Sequence, residues 1–180
     1  MNKDNISGLL TKHLALNEEV CHVADDIESY LKKNLKPINP AKFEEIPNNC
    51  GLYLFCYNEK IFEIEALWEA HLKNCANASP FNKSKSKKCK SIDGVGGFPM
   101  YIGKSEELKK RIKEHWNLPC DSTTKSMRLE IFLQKNSFDT SRISLSYIDL
   151  SEFGMTAKTY YVTSALERLL KDKMNPFIGR

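Results

Sequence analysis

The chain of 180 residues carries six cysteines but no C-x-x-C pair. Cys21, Cys50, Cys56, Cys75, Cys89 and Cys120 are scattered, which excludes the usual zinc-ribbon and thioredoxin-like spacings. A zinc site on His71, Cys75 and Cys89, completed by Cys120 or His115, lacks finger spacing too, so buried or incidental thiols are the simpler reading. No run approaches the roughly 20 apolar residues of a membrane span. The start shows no secretory leader, because Asp4, Lys12, His13, Glu18 and Glu19 interrupt it. These absences lead to the expectation of a cytoplasmic protein with free thiols and no membrane partner. A strong charge imbalance is also missing: 27 Lys and Arg against 23 Asp and Glu leave a net +4, too little to demand a polyanion. The glycines of "GVGG" at 94–97 precede no G-K-[ST], so a nucleotide-cradling loop is not read there.

What is present is ordinary globular material, 41% hydrophobic and 28% charged, enough to bury roughly 70% of the unfolded surface. Apolar residues from Leu9 to Leu31 recur at spacings of three and four, which predicts a two-helix arm. Pro37 and Pro40 then open a linker. "CGLYLFCYN" at 50–58 reads as a strand, and 61–74 as a segment that continues it and passes into a helix. A polar, basic loop follows, then a strand at 99–103 and a helix at 105–116. An amphipathic helix at 123–136, an alternating strand at 142–150 and a helix at 159–175 complete the chain. The arm is placed at 1–46 and the main domain at 47–180. The expected class is α+β, with a three-stranded, mainly antiparallel sheet flanked by helices.

The two strands carry "GLY" at 51–53 and "YIG" at 101–103. Arg111 and His115 lie four residues apart on the following helix, so they share a face. Glu167 stands in "ALERLL" on the last helix. This order resembles the GIY-YIG endonuclease family over roughly residues 48–178, with Leu52 in place of the usual isoleucine. An insertion of about 60–98 divides the two halves of the motif, where the family has a short hairpin. Insertions at a hairpin tip cost little loop entropy, so the sheet is expected to survive it.

The resemblance implies metal-dependent hydrolysis of phosphodiester bonds in DNA. On it, Tyr53 helps to deprotonate the attacking water and Tyr101 orients water or phosphate. Arg111 neutralises growing phosphate charge, since a guanidinium bonds two phosphate oxygens at once. His115 relays a proton, holds Tyr53, or more simply touches phosphate. Glu167 binds one Mg²⁺ or Mn²⁺; no second acidic ligand accompanies it, so a single ion is expected. A Glu167–Arg111 salt bridge is the alternative in the empty protein. Gly51 and Gly103 serve the backbone, and Asn175 matches the family's asparagine only loosely.

Five lysines and no acid in "KSKSKKCK" at 83–90 suit a DNA backbone beside such a site. Lys83, Lys85, Lys87 and Lys88 are the expected contacts, with Lys104 at the mouth of the helix. A restriction-type enzyme fits this compact plan, and a homodimer is the usual way for such enzymes to cut both strands. A repair or mobile-element nuclease, and a non-catalytic nucleic-acid-binding module on the same fold, are the competing expectations.

Overall fold

A computed structural model describes residues 3–94, 96–154 and 160–179. The arm is one helix rather than two: α1 runs unbroken over Lys3–Lys33. No proline or helix-ending glycine motif interrupts it. Ala24, Ile27 and Leu31 lie on one face at three- and four-residue spacing and are buried.

The sheet has four strands, not three. The presumed linker supplies β1 (Lys36–Pro37), which pairs antiparallel with β4 (Ile143–Asp149). Proline is tolerated there because β1 is an edge strand. The order is β1-β4-β2-β3, with β2 (Gly51–Tyr57) at the centre and β3 (Phe98–Ser105) beside it, and all pairings are antiparallel. Every residue of β2 is buried, because both faces of the sheet are covered. One face carries Tyr53, Phe55 and Tyr57 into a core with Ile64, Trp68 and Phe132. The other carries Leu52, Leu54 and Cys56 against Ile27 and Leu31 of α1 and Leu166 and Leu170 of α6 (Tyr160–Met174).

The segment between the GLY and YIG strands is not peripheral. It is helical from its start as α2 (Ile61–Asn74), which buries Ile64, Trp68 and His71 in the core. The Trp68 indole N–H donates to Ser79 O at 2.9 Å. A single turn, α3 (Lys83–Ser86), is capped by the Asn82 side chain, which accepts from Lys85 N. The helix α4 (Leu108–Asn117) buries Leu108, Ile112, His115 and Trp116 along one face.

The expected helix at 123–136 is shorter. Only α5 (Leu129–Lys135) is helical, because Arg128 adopts a left-handed φ of 56° immediately before it. The preceding residues 118–127 form an irregular loop. Cys75, at the end of α2, is disulfide-bonded to Cys120 in this loop, with Cα atoms 4.6 Å apart. The free-thiol expectation therefore fails for this pair, while Cys21, Cys50, Cys56 and Cys89 are free. Zinc is disfavoured by the same facts: Cys75 is spent on Cys120, His71 bonds Met127 O at 3.0 Å, and the Cys89 thiol donates to Pro99 O.

Among the described residues, no helix is long and apolar enough to cross a membrane.

Candidate active site

Tyr53 stands opposite Gly103 in the β2–β3 ladder, and Tyr101 lies diagonally next to it opposite Phe55. The two tyrosine rings stack with centroids 6.1 Å apart and planes at 19°. Gly103 makes this possible by having no side chain: a Cβ there would strike the Tyr53 ring and approach Tyr101 Cε1 to 2.8 Å. Gly51 works in the same way, its missing Cβ leaving room for Leu108 and the Ile148 carbonyl. Both are close-approach glycines, with ordinary φ.

Helix α4 brings His115 into the same cluster, 4.6 Å from the Tyr101 ring centroid and 5.5 Å from that of Tyr53. His115 Nε2 and the Tyr53 hydroxyl are 2.9 Å apart. On its other side, His115 Nδ1 accepts from Met127 N–H at 3.2 Å. An accepting Nδ1 in a neutral imidazole leaves the proton on Nε2, so Nε2–H donates to the Tyr53 oxygen. His115 has no solvent exposure. Burial first, and then the charges of Arg111 and Arg128, hold its pKa well below 6.5. A direct phosphate contact from His115 is thereby corrected: the ring is fully engaged beneath the surface.

Tyr53 is 1% exposed. Burial lifts its phenol well above the usual 10, Tyr101 adds to the rise, and Arg111 opposes it. The phenol is therefore neutral at ordinary pH.

Arg111, one turn before His115, is half-buried on the edge of the same helix face. Its Nη1 donates to Glu114 Oε2 at 2.6 Å and its Nη2 to Lys125 O at 2.7 Å. Burial works against its charge, but the tyrosine oxygens and Glu114 outweigh burial and raise its pKa. It stays a cation.

Glu167 lies on α6, which packs on the opposite sheet face and runs along β3. It bears electrostatically on Tyr53 and is ion-paired at 2.9 Å with Lys171, one turn on. The alternative of a Glu167–Arg111 salt bridge is corrected, since each has another partner. Lys171 Nζ lies 6.0 Å from the Tyr101 ring centroid, a residue the sequence reading missed, although the Glu-x-x-x-Lys spacing signals an i,i+4 pair. Among the described residues, no group of three or more His, Cys, Asp or Glu side chains is gathered to hold a metal ion. A lone carboxylate is the kind of donor used by a hard cation that keeps most of its water and takes further oxygens from substrate; in this structure that carboxylate is held by Lys171.

The other expected contacts lie apart from this cluster. Lys104 pairs with Leu52 on the opposite sheet face, and its Nζ donates to Ser164 Oγ at 2.5 Å. Lys83 is held by Glu65 at 2.9 Å and Glu69 at 2.7 Å, while Lys87 and Lys88 are exposed and Lys85 half-buried. Asn175 has a left-handed φ of 49° at the end of α6 and lets the chain turn onto β3, where Ile178 N–H donates to Met100 O at 2.8 Å. A cleft of about 300 Å³ between α1 and β1 is lined by Tyr30, Lys36, Phe43 and Tyr147, and none of Tyr53, Tyr101, Arg111, His115 and Glu167 lines it.

Comparison with protein-family models, with curated proteins and with solved structures finds no match to this chain.

Proposed function

We propose that this chain is an endonuclease of the GIY-YIG type, hydrolysing phosphodiester bonds in DNA with one Mg²⁺ or Mn²⁺ at Glu167, as a restriction-type enzyme. The observation that carries this reading is convergence. Tyr53, Tyr101, Arg111 and His115 come from β2, β3 and α4 and meet around one stacked tyrosine pair, and Glu167 on α6 bears on Tyr53 electrostatically.

The geometry supports the following roles. Tyr101, Arg111 and Glu167 are half-buried at the surface, whereas Tyr53 and His115 lie beneath them. Arg111 can turn Nη1 from Glu114 to a phosphate while Nη2 stays on the Lys125 carbonyl, and losing one such donor typically costs about 10²–10³ in rate. The Nε2–H of His115 points at the Tyr53 oxygen and so stabilises that oxygen if its proton leaves. Burial resists ionisation of Tyr53, and the Arg111 cation offsets part of that resistance. A divalent ion would supply further positive charge beside the scissile phosphate and the departing oxygen. Glu167 would hold it, with Lys171 released toward the phosphate.

The Lys171–Glu167 ion pair and the buried phenol favour a second reading, a non-catalytic nucleic-acid-binding module. Purified protein, supercoiled plasmid and Mg²⁺ separate the two. Nicked and linear products that vanish with Arg111→Ala support the nuclease; DNA binding without cutting supports the module.

A further inference from the structure

The loop between α4 and α5, tied to the end of α2 by Cys75–Cys120, wraps a buried cation. Arg128 has no solvent exposure, and its guanidinium is spent entirely on backbone carbonyls. Nε donates to Pro119 O at 3.0 Å, Nη1 to Ser126 O at 3.3 Å, and Nη2 to Ser122 O at 2.8 Å and Thr124 O at 3.0 Å. Burial works against this charge and lowers its pKa, with Asp121 opposing. Four carbonyls gathered on one planar fork hold an irregular segment whose other ties include the Ala78–Ser126 bridge, where Ser79 N–H donates to Ser126 O at 2.8 Å.

A buried arginine bonded to carbonyls can be a staple and nothing more. Two deliveries made by this loop argue for more than that. The Lys125 carbonyl accepts from Arg111 Nη2 at 2.7 Å, and Met127 N–H donates to His115 Nδ1 at 3.2 Å. Met127 is pinned from its other end as well, its carbonyl accepting from His71 Nε2–H at 3.0 Å. The Met127 amide decides which nitrogen of His115 is protonated, and therefore whether His115 can donate to Tyr53 at 2.9 Å.

We propose that Arg128 is a positioning residue: by holding the carbonyls of Pro119, Ser122, Thr124 and Ser126, it presents the Met127 amide that fixes His115 in its Nε2–H form and the Lys125 carbonyl that orients Arg111. It touches neither substrate nor the reacting atoms. A lysine cannot replace it, since an ammonium is a point donor without the planar five-donor fork. The effect on rate rests on the nuclease reading; the effect on His115 does not.

The test is ¹⁵N NMR of histidine-labelled protein at pH 7.5, on wild type, Arg128→Lys and Arg128→Ala, with single-turnover cleavage and DNA affinity measured in parallel. In the wild type, His115 should carry its proton on Nε2 alone. In Arg128→Lys, which keeps the charge, His115 should become a mixture of tautomers, and cleavage should fall by about a hundredfold, the loss expected from ångström-scale misplacement, while DNA affinity is unchanged. A purely structural staple would lower Tm and leave the tautomer intact. Wild-type His115 protonated on Nδ1 overturns the proposal whatever the variants do. A folded Arg128→Lys with unmixed Nε2–H overturns it too, and this variant decides if Arg128→Ala does not fold. Absence of cleavage by wild type overturns the nuclease reading and leaves the tautomer result to decide the role of Arg128.

Discussion

The Tyr53 hydroxyl receives the Nε2–H of His115 at 2.9 Å, with both side chains essentially closed to solvent. The direction of that hydrogen bond is set from behind, by the Met127 amide on Nδ1. A histidine held this way cannot accept the tyrosine proton. It can only steady the phenol oxygen. Because burial keeps Tyr53 protonated at ordinary pH, Tyr53 must first lose its proton to another acceptor before it can serve as the base that the proposed function gives it.

Tyr53→Phe tests that assignment. The ring still stacks on Tyr101 and covers Gly103, so Tm should change little. The cleavage rate should fall at least about a hundredfold, within the range of general-base catalysis. Cutting at near wild-type speed would mean that another group takes the proton.

Acid should destabilise the fold through the buried His71 and His115. Burial is the first cause lowering the pKa of both His71 and His115. As pH falls through about 6.5, the unfolded chain takes up protons that the folded chain refuses, so stability drops. The slope is at most about 1.4 kcal/mol per pH unit for each histidine, and it ends once pH passes the folded values. Urea unfolding at pH 7.5 and 5.5 measures this. His71→Gln should show a shallower dependence than wild type; an identical slope would mean His71 is not held neutral.

The Cys75–Cys120 bond closes a loop with a sequence separation of 45. Its reduction should lower stability by about 2–4 kcal/mol, through greater freedom of the unfolded chain. A thermal melt with and without dithiothreitol checks this, with Cys120→Ser as control. An unchanged Tm would show that the pair contributes no constraint.

Of the four expected contacts in the basic run, one lysine should be bound and three available. Lys83 is tied to Glu65 and Glu69, so Lys83→Ala should leave the salt dependence of DNA binding nearly unchanged. Replacing Lys85, Lys87 and Lys88 together should flatten it, since each lost phosphate contact removes nearly one unit of slope. The single-turnover rate at saturating DNA should not move. A flat response to the triple change would leave DNA to be held elsewhere on the surface.

The strands bearing GLY and YIG, and the Arg111–His115 helix face, were legible because local periodicity encodes them. The antiparallel α+β class followed from the order of those elements. The fourth strand was not legible: Lys36–Pro37 is two residues long, contains proline, and gains its identity only from pairing with Leu145 and Ser144. Cysteine spacing cannot reveal which thiols meet, so the Cys75–Cys120 pair was invisible. Arg128 looked like one more residue of an amphipathic helix from 123, and only its left-handed backbone and its four carbonyls set it apart. His71 carried no motif, and its link to Met127 joins stretches 56 residues apart. Local pattern thus showed the residues of the candidate site, while the groups that hold them in place depend on long-range contacts.

Cleavage of supercoiled plasmid in Mg²⁺, measured together with DNA affinity for wild type, Arg111→Ala and Glu167→Ala, tests the central claim most directly. Wild type should cut, and both variants should lose cutting. Glu167→Ala should bind DNA as tightly or more tightly, because a carboxylate facing phosphate has been removed. Full activity of Glu167→Ala in Mg²⁺, or intact wild-type protein that binds plasmid and leaves it uncut, would contradict the account.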